Sequence, residues 1–283
     1  MNAFARSWEV TKLSFKVIKQ DRELLLFPIL SGFLSVAFLF AMLFPSVIPS
    51  FLSGNTGRIL EYVIIGIAFF GLAVIATFFN VCTVYTAKKR FEGGNATFQE
   101  SIRFAFSKIH LIVAWSLISA TVGIILHVID RIANRAGQQG RIILRILNGI
   151  FGMVWSIVTI FVVPAMVYYD LGPIEAIKKS VKTLRATWGE SIIRWIGLGI
   201  VQFVCTLAGI IITLLFAFAV SGMGTPAVLA VIGLGIIYVV LVSLVFGIAN
   251  MVYNTALFVY ADTGRVPGSF TKDVVENAFR KAV

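Results

Sequence analysis

Long uncharged blocks alternate with short basic connectors along this chain, and the alternation sets its architecture. Apolar runs occupy residues 24–44, 62–85, 109–129, 146–169, 192–220 and 227–260, and no charged residue falls in the middle of any of them. Roughly 20 helical residues cross about 30 Å of hydrocarbon, so each run is long enough to span a bilayer. The spans must be helices, because an open strand would leave its backbone groups without partners in lipid. A transmembrane barrel would instead show segments of about 10 residues alternating apolar and polar, and no such alternation occurs. The last run has length to spare, which predicts a tilt, a kink near Gly247 or an extension beyond the bilayer.

The connectors have a periodicity of their own. After Gly172-Pro173, apolar residues recur at Ile174, Ile177, Val181, Leu184 and Trp188, the spacing of one helix face. Phe98, Ile102, Phe106 and Ile109 repeat the pattern behind Thr97-Phe98-Gln99-Glu100, whose Thr-x-x-Glu spacing predicts a capping box. Phe4, Trp8, Phe15 and Ile18 form a looser version at the start, and Phe270, Val274, Ala278 and Ala282 another at the end. Basic amphipathic helices with aromatic anchors suit a membrane interface.

The second, fourth and sixth spans each close on Val-Tyr, at 84–85, 167–168 and 259–260. The last two continue in parallel as Val-Tyr-Tyr-Asp-Leu-Gly (167–172) and Val-Tyr-Ala-Asp-Thr-Gly (259–264). The expected fold is therefore all-α, a polytopic helical membrane bundle of about six transmembrane helices in three parallel hairpin repeats. Cytoplasmic amphipathic interfacial helices precede the hairpins. The chain is one membrane domain with units at 1–92, 93–172 and 173–264 and a terminal amphipathic helix at 265–283. Such parallel repeats would relate to each other about the membrane normal.

Composition sharpens this picture. Of 283 residues, 59% are hydrophobic and 13% charged, and mean hydropathy is +0.95. Soluble domains are about half apolar and about a quarter charged, so no stretch remains for a separate soluble domain of ordinary size. The formal net charge of +11 would suit nucleic acid or an anionic membrane surface, and hydropathy decides for the membrane. Nineteen of the 24 Lys and Arg, including every lysine, fall in the N-terminal segment, the second and fourth connectors and the tail. By the positive-inside rule both termini are cytoplasmic, in a multi-pass protein of the cell (inner) membrane. The first apolar run is longer than the core of a cleavable signal and lacks a small-x-small site after it. Cys82 and Cys205 lie within apolar runs and read as small buried side chains rather than a disulfide.

No constellation for catalysis, cofactor binding or metal binding emerges. His110 and His127 share one span but stand about 25 Å apart along a helix. His127 and Asp130 form at most a hydrogen-bonded pair or half a metal site. No His-Glu-x-x-His, Gly-x-Ser-x-Gly or paired-aspartate pattern lies in a span. The absence of midspan charge disfavours a proton or ion relay, whereas a pore lined by amides or carbonyls escapes that argument. Asn80, Asn148, Gln202, Asn250 and Asn254 are the candidate polar lining of such a path, with Thr83 and Thr206 nearby in sequence. Interhelical hydrogen bonds would explain the same residues. Gly149-x-x-Gly152, Gly197-x-Gly199 and Gly233-x-Gly235 read as close-packing sites. Arg131, Arg135, Arg141 and Arg145 cluster on the outer side, and Lys178, Lys179 and Lys182 on the inner. All seven are candidate contacts for anions or lipid headgroups, and the arginines have an alternative role in snorkelling from helix ends.

The segment Gly172-Pro173-Ile174-Glu175-Ala176-Ile177-Lys178-Lys179-Ser180 resembles connectors of prokaryotic multi-span proteins that carry Pro-x-x-Ala-x-x-x-Ser before a span. Among them is the membrane domain found ahead of some glycerophosphodiester phosphodiesterases. The opening, from Ser7-Trp8-Glu9 to Glu23-Leu24-Leu25-Leu26-Phe27-Pro28-Ile29-Leu30-Ser31-Gly32, is more similar to a prokaryotic multi-span integral membrane protein family of unknown function. The resemblance implies a membrane bundle and no activity, and the phosphodiesterase catalytic barrel is absent. These readings lead to a non-enzymatic scaffold, assembly or envelope-maintenance component. Its expected partners are anionic lipid headgroups on the cytoplasmic side and another membrane protein or a second copy of the chain, with no nucleic acid. The alternative is a small-molecule or lipid transporter or channel with an uncharged polar lining. A lipid-modifying enzyme ranks third.

Overall fold

A computed structural model describes residues 3–53, 58–188, 197–268 and 270. Helix α1 (Ala3–Gln20) leads through a 3-10 turn at Arg22–Leu25 into α2 (Leu26–Ser53), and α3 (Arg58–Phe91) returns. The short α4 (Phe98–Ser107) precedes α5 (Ile109–Arg135) and α6 (Gln138–Thr159), which α7 (Val162–Tyr169) extends. Helix α8 (Pro173–Trp188) precedes α9 (Gly197–Ala219), and α10 (Thr225–Thr263) completes the last hairpin. Among the described residues, six helical stretches are long and apolar enough to cross a membrane: Glu23–Met42, Val63–Phe91, Ile109–Arg135, Gln138–Tyr169, Val201–Ala219 and Thr225–Thr263. Their alternating direction brings α1, α4, α8 and the end of α10 to one end of the bundle, termed here the base. The expected terminal helix, apart from 265–268 and 270, lies outside the described residues. Residues 265–268 continue past α10 without helix, and Phe270 packs back on Phe91 and Tyr253.

Burial is concentrated at the base. Val81–Val84, Phe161–Val167 and Val252–Phe258 are buried, together with Val17, Leu24 and Phe27. Phe258 is 1% exposed and meets the rings of Phe161, Tyr168 and Tyr169. Toward the far end the helices keep broad apolar faces open. Phe33, Phe40, Ile143, Leu215, Phe218 and Leu234 are all exposed, and no residue of α6 is buried. Each such side chain would cost about 1.5–3 kcal/mol in water, so these faces form a belt that only hydrocarbon or another apolar surface can cover.

Helices α3 and α10, of 34 and 39 residues, are about 50 and 58 Å long, well beyond the hydrocarbon core. The surplus of α10 continues into the base as one helix, unbroken through Gly247 to Thr263. The fourth span breaks instead, between α6 and α7. Pro164 has no N–H to give the carbonyl of Ile160, and its ring crowds that carbonyl, which interrupts the ladder there. Ser180 of α8 mends the break: its hydroxyl donates to the Val158 carbonyl at 2.6 Å and accepts from the Phe161 N–H at 3.3 Å.

The connector helices seat on the bundle by their small residues. Helix α8 buries Ala176, Ser180, Thr183 and Leu184 and leaves Ile174 exposed. Helix α4, held by the expected capping box of Thr97 and Glu100, buries Ser101 and Ala105 and leaves Phe106 exposed. In both, small residues make the fully buried contacts, because close approach favours the side chain that takes least room, while Leu184 and Ile177 of α8 and Phe98 and Ile102 of α4 also pack on the core. Ser14 of α1 is likewise fully buried. Large residues flanking these faces stack on the spans: Phe27 on Phe98, Tyr85 on Phe104, and Phe78 edge-on to Phe106.

Away from the base, hairpin partners touch through glycine. A Cβ on Gly235 would come within 2.3 Å of Thr213, one on Gly209 within 1.9 Å of Tyr238 and one on Gly71 within 2.2 Å of Phe38. Gly152 meets Leu126 at ordinary distance, while Gly149, Gly199 and Gly233 face open space. Of the three glycine motifs only Gly235 makes a tight contact among the described residues. Gly235→Val should therefore lower stability by about 1–3 kcal/mol through overpacking, and Gly233→Val should leave it unchanged. Melting temperatures in mild detergent compare the two; equal values would refute the close packing of α9 on α10.

Candidate functional site

Among the described residues, ion pairs centred on Asp21, Asp170 and Asp262 tie the base. Asp21, 5% exposed between α1 and α2, receives Arg90 from the end of α3 in a two-bond fork. The Nε bond measures 2.5 Å, and Arg90 Nη2 also reaches Asn95 Oδ1 at 2.8 Å. Lys108, capping the end of α4, bonds Asp170 at 2.6 Å beyond α7. Lys179 of α8 pairs with Asp262 near the end of α10, and the Tyr169 hydroxyl donates to the same carboxylate. Lysine ammonium groups also lie over aromatic faces, Lys88 on Tyr168 at 4.8 Å and Lys179 on Tyr169 at 4.7 Å.

The two parallel Val-Tyr-x-Asp-x-Gly segments end their helices differently. Asp170 itself adopts the left-handed conformation (φ 56°) and stops α7, whereas α10 runs two residues further and stops at Gly264 (φ 69°). Asp262 thus stays helical and half-buried beneath Tyr169, while Asp170 projects at the surface.

The candidate lining residues do not converge. Asn80 lines a cavity of about 270 Å3 between α2, α3 and α10, whose other walls include Pro28, Ser31, Gly32, Thr83, Ser243 and Gly247. Asn148, Gln202, Asn250 and Asn254 do not line it. Asn148 donates to the Leu126 carbonyl at 3.2 Å, joining α6 to α5. Gln202 on α9 and Asn250 on α10 are half-buried, and Asn254 is buried in the base with its Oδ1 unbonded. Thr83 is satisfied by the Phe79 carbonyl.

At the far end, Arg131 is half-buried and Arg135 and Arg141 are exposed. Arg145 donates to Asn134 Oδ1 at 2.9 Å. Asp130 accepts from Asn134, and the His127 ring packs on Phe69 at 5.9 Å. No group of three His, Cys, Asp or Glu suited to a metal occurs among the described residues. At the base, Lys178 and Lys182 are exposed, while Lys179 is engaged by Asp262. Cys82 and Cys205 are free thiols, and Cys82 leans on the Ser101 carbonyl at 3.6 Å. Sequence reasoning missed the Asp21–Arg90 fork, the serines 101 and 180, and the cavity residues Ser31 and Ser243. Ser180 closes the Pro-x-x-Ala-x-x-x-Ser segment, but its bonding role shows only in the fold; no spacing distinguishes the other serines, which are common in membrane helices.

An all-α bundle with six stretches long and apolar enough to cross a membrane among the described residues defines a polytopic integral membrane protein. The chain belongs to a family of unknown function (DUF6159), whose model matches residues 59–268. No curated protein matches it.

The ion pairs differ in burial, which ranks their worth. Arg90→Met strands the buried Asp21 carboxylate and should cost roughly 3 kcal/mol. Lys108→Met removes a partner from an aspartate side chain that is 60% exposed and should cost under about 1 kcal/mol. Thermal unfolding of the two variants side by side reads the difference; an equal or reversed order would refute the ranking.

Proposed function

We propose that this protein is a non-enzymatic platform of the cell (inner) membrane, with both termini cytoplasmic. It holds a protein partner or a second copy against the apolar flank of its spans in a scaffold, assembly or envelope-maintenance role. The observation that carries this reading is the unequal packing of the bundle. The base is filled and ion-paired, whereas α6 buries none of its residues and α9 leaves Phe203, Leu214 and Leu215 exposed. A rigid base with open helix faces suits association between helices, where close packing rather than water exclusion supplies the attraction. The lysine bias supports a cytoplasmic base, and exposed Lys178 and Lys182 are positioned for anionic headgroups.

Three parallel hairpin units, bounded as in the sequence reading, are part of the same proposal. Within each unit an ion pair joins the leading segment to the end of its second span: Asp21 to Arg90, Lys108 to Asp170 and Lys179 to Asp262. Each leading helix also buries one serine completely, Ser14, Ser101 or Ser180. The first unit reverses the charges, as expected if Ala87 occupies the place of the aspartates in the other two.

Transport is the second reading, favoured by the Asn80 cavity; the separation of the other amides argues for the platform. Photo-crosslinkers placed at Ile143 and Leu147 of α6 in native membranes test the choice. A discrete protein adduct at these positions, either a partner or a dimer, is the expected result. Lipid adducts alone, together with a partner-free monomer that carries solute across vesicles, would overturn the platform.

A further inference from the structure

The cavity between α2, α3 and α10 has features that the packing of the bundle does not explain. Ser31 of α2, Asn80 of α3 and Ser243 of α10 come to it from three helices. None of the three makes a side-chain hydrogen bond with another described residue. Polar groups at membrane depth ordinarily find partners, because hydrocarbon offers none and an unmet group costs free energy. Thr83, one turn from Asn80, behaves in the ordinary way and bonds its own helix. The remaining walls combine small residues, Gly32, Ala76 and Gly247, with apolar ones, Phe79, Leu244, Ile248 and Met251.

Depth and charge define what would fit. Asn80 stands eight residues before Lys88, about 12 Å along the helix axis, below the lysine layer and short of the midplane. Ala76, Ser243 and Gly247 are exposed, so the cavity reaches the lipid-facing surface of the spans. Nothing that lines it is charged, so a phosphate or ammonium drawn to this depth would have no counterion. The esters of a phospholipid lie only a few bonds from its phosphate and would drag that charge down with them. A neutral diacyl lipid can sink until its hydroxyl and ester carbonyls meet two serine hydroxyls and an amide, with one chain against Phe79 and Met251. The cavity is near the lower limit for ligand pockets, room for the glycerol backbone and the start of a chain, with the rest left in the bilayer.

We propose that the cleft between α2, α3 and α10 is a lateral binding site for a neutral diacyl glycerolipid of the base-side leaflet. The site does not rest on the platform reading and would exist equally in a transporter.

The test uses the full chain in phosphatidylcholine vesicles with two photoactivatable probes of identical chains, one a diacylglycerol and one a phosphatidic acid. The diacylglycerol probe should label residues lining the cleft and be displaced by unlabelled diacylglycerol, and the phosphatidic acid probe should label them weakly. A Cβ on Gly247 or Gly233 of α10 meets nothing within 4 Å, so a large residue is tolerated at either position, and only Gly247 lines the cleft. Gly247→Phe should reduce cleft labelling by roughly tenfold, a loss of about 1.4 kcal/mol, and Gly233→Phe should leave it intact. Should Gly247→Phe lower the melting temperature, the Asn80→Leu, Ser243→Ala pair serves in its place with the same expected loss. Equal labelling by the charged probe, labelling spread evenly along the spans, or labelling unaffected by these variants would each overturn the site.

Discussion

Hydrocarbon is as apolar as a leucine side chain, so spans in a bilayer gain little by burying leucine against each other. Helices here must be held by something other than the hydrophobic effect, and the base supplies it. Charge-assisted hydrogen bonds and the seated small residues of the connector helices gather at the base, while farther out the hairpin partners touch through glycine. Asp21 and Arg90 illustrate the balance. The carboxylate is buried, and removing it from water is costly unless its fork of bonds is complete.

The connector helices follow from the same constraint. Each must approach the spans closely enough to matter, and a large residue on the seated face would hold it away. Ser180 combines three roles in one small side chain: it lets α8 approach, and it supplies one hydroxyl bond to each side of the break that Pro164 makes in the fourth span. The Pro-x-x-Ala-x-x-x-Ser segment thereby gains a physical reading. Pro173 opens the helix, Ala176 gives clearance, and Ser180 satisfies a carbonyl and an N–H that would otherwise be orphaned at membrane depth.

Much of this architecture was legible in the chain, for identifiable reasons. Hydropathy located six spans because the solvent imposes one length on all of them, and the Thr97–Glu100 box is a local signal complete within four residues. What stayed hidden depends on residues distant in sequence. The stripes of α4 and α8 suit the membrane interface by sequence, yet only part of each stays open: Phe106 and Ile174 are exposed, while Leu184 is buried and Phe98, Ile102 and Ile177 pack on the core beside Ser101, Ala105, Ala176 and Ser180. Gly71 and Gly209 belong to no motif, yet each faces an aromatic ring from a neighbouring helix. The amides Asn80, Asn148 and Asn254 looked alike in sequence, and only packing separates one facing a cavity, one bridging α5 and α6, and one buried in the base.

The cleft lies along α10, a helix longer than the hydrocarbon core. A helix of about 58 Å cannot be covered along its whole length by spans cut to the bilayer. Its base half, beyond Phe246, is enclosed by α1, α3, α7 and α8, and its far half is paired mainly with α9. Around the middle of α10, one face packs inward through Phe246, Ile248 and Ala249 while Ser243 and Gly247 stay exposed. The latter two lie opposite Asn80 and Ser31. The cleft thus opens where densely buried residues of α10 adjoin exposed ones. The polar side chains placed around it make it suited to a ligand that carries its own hydrogen bonds into the bilayer.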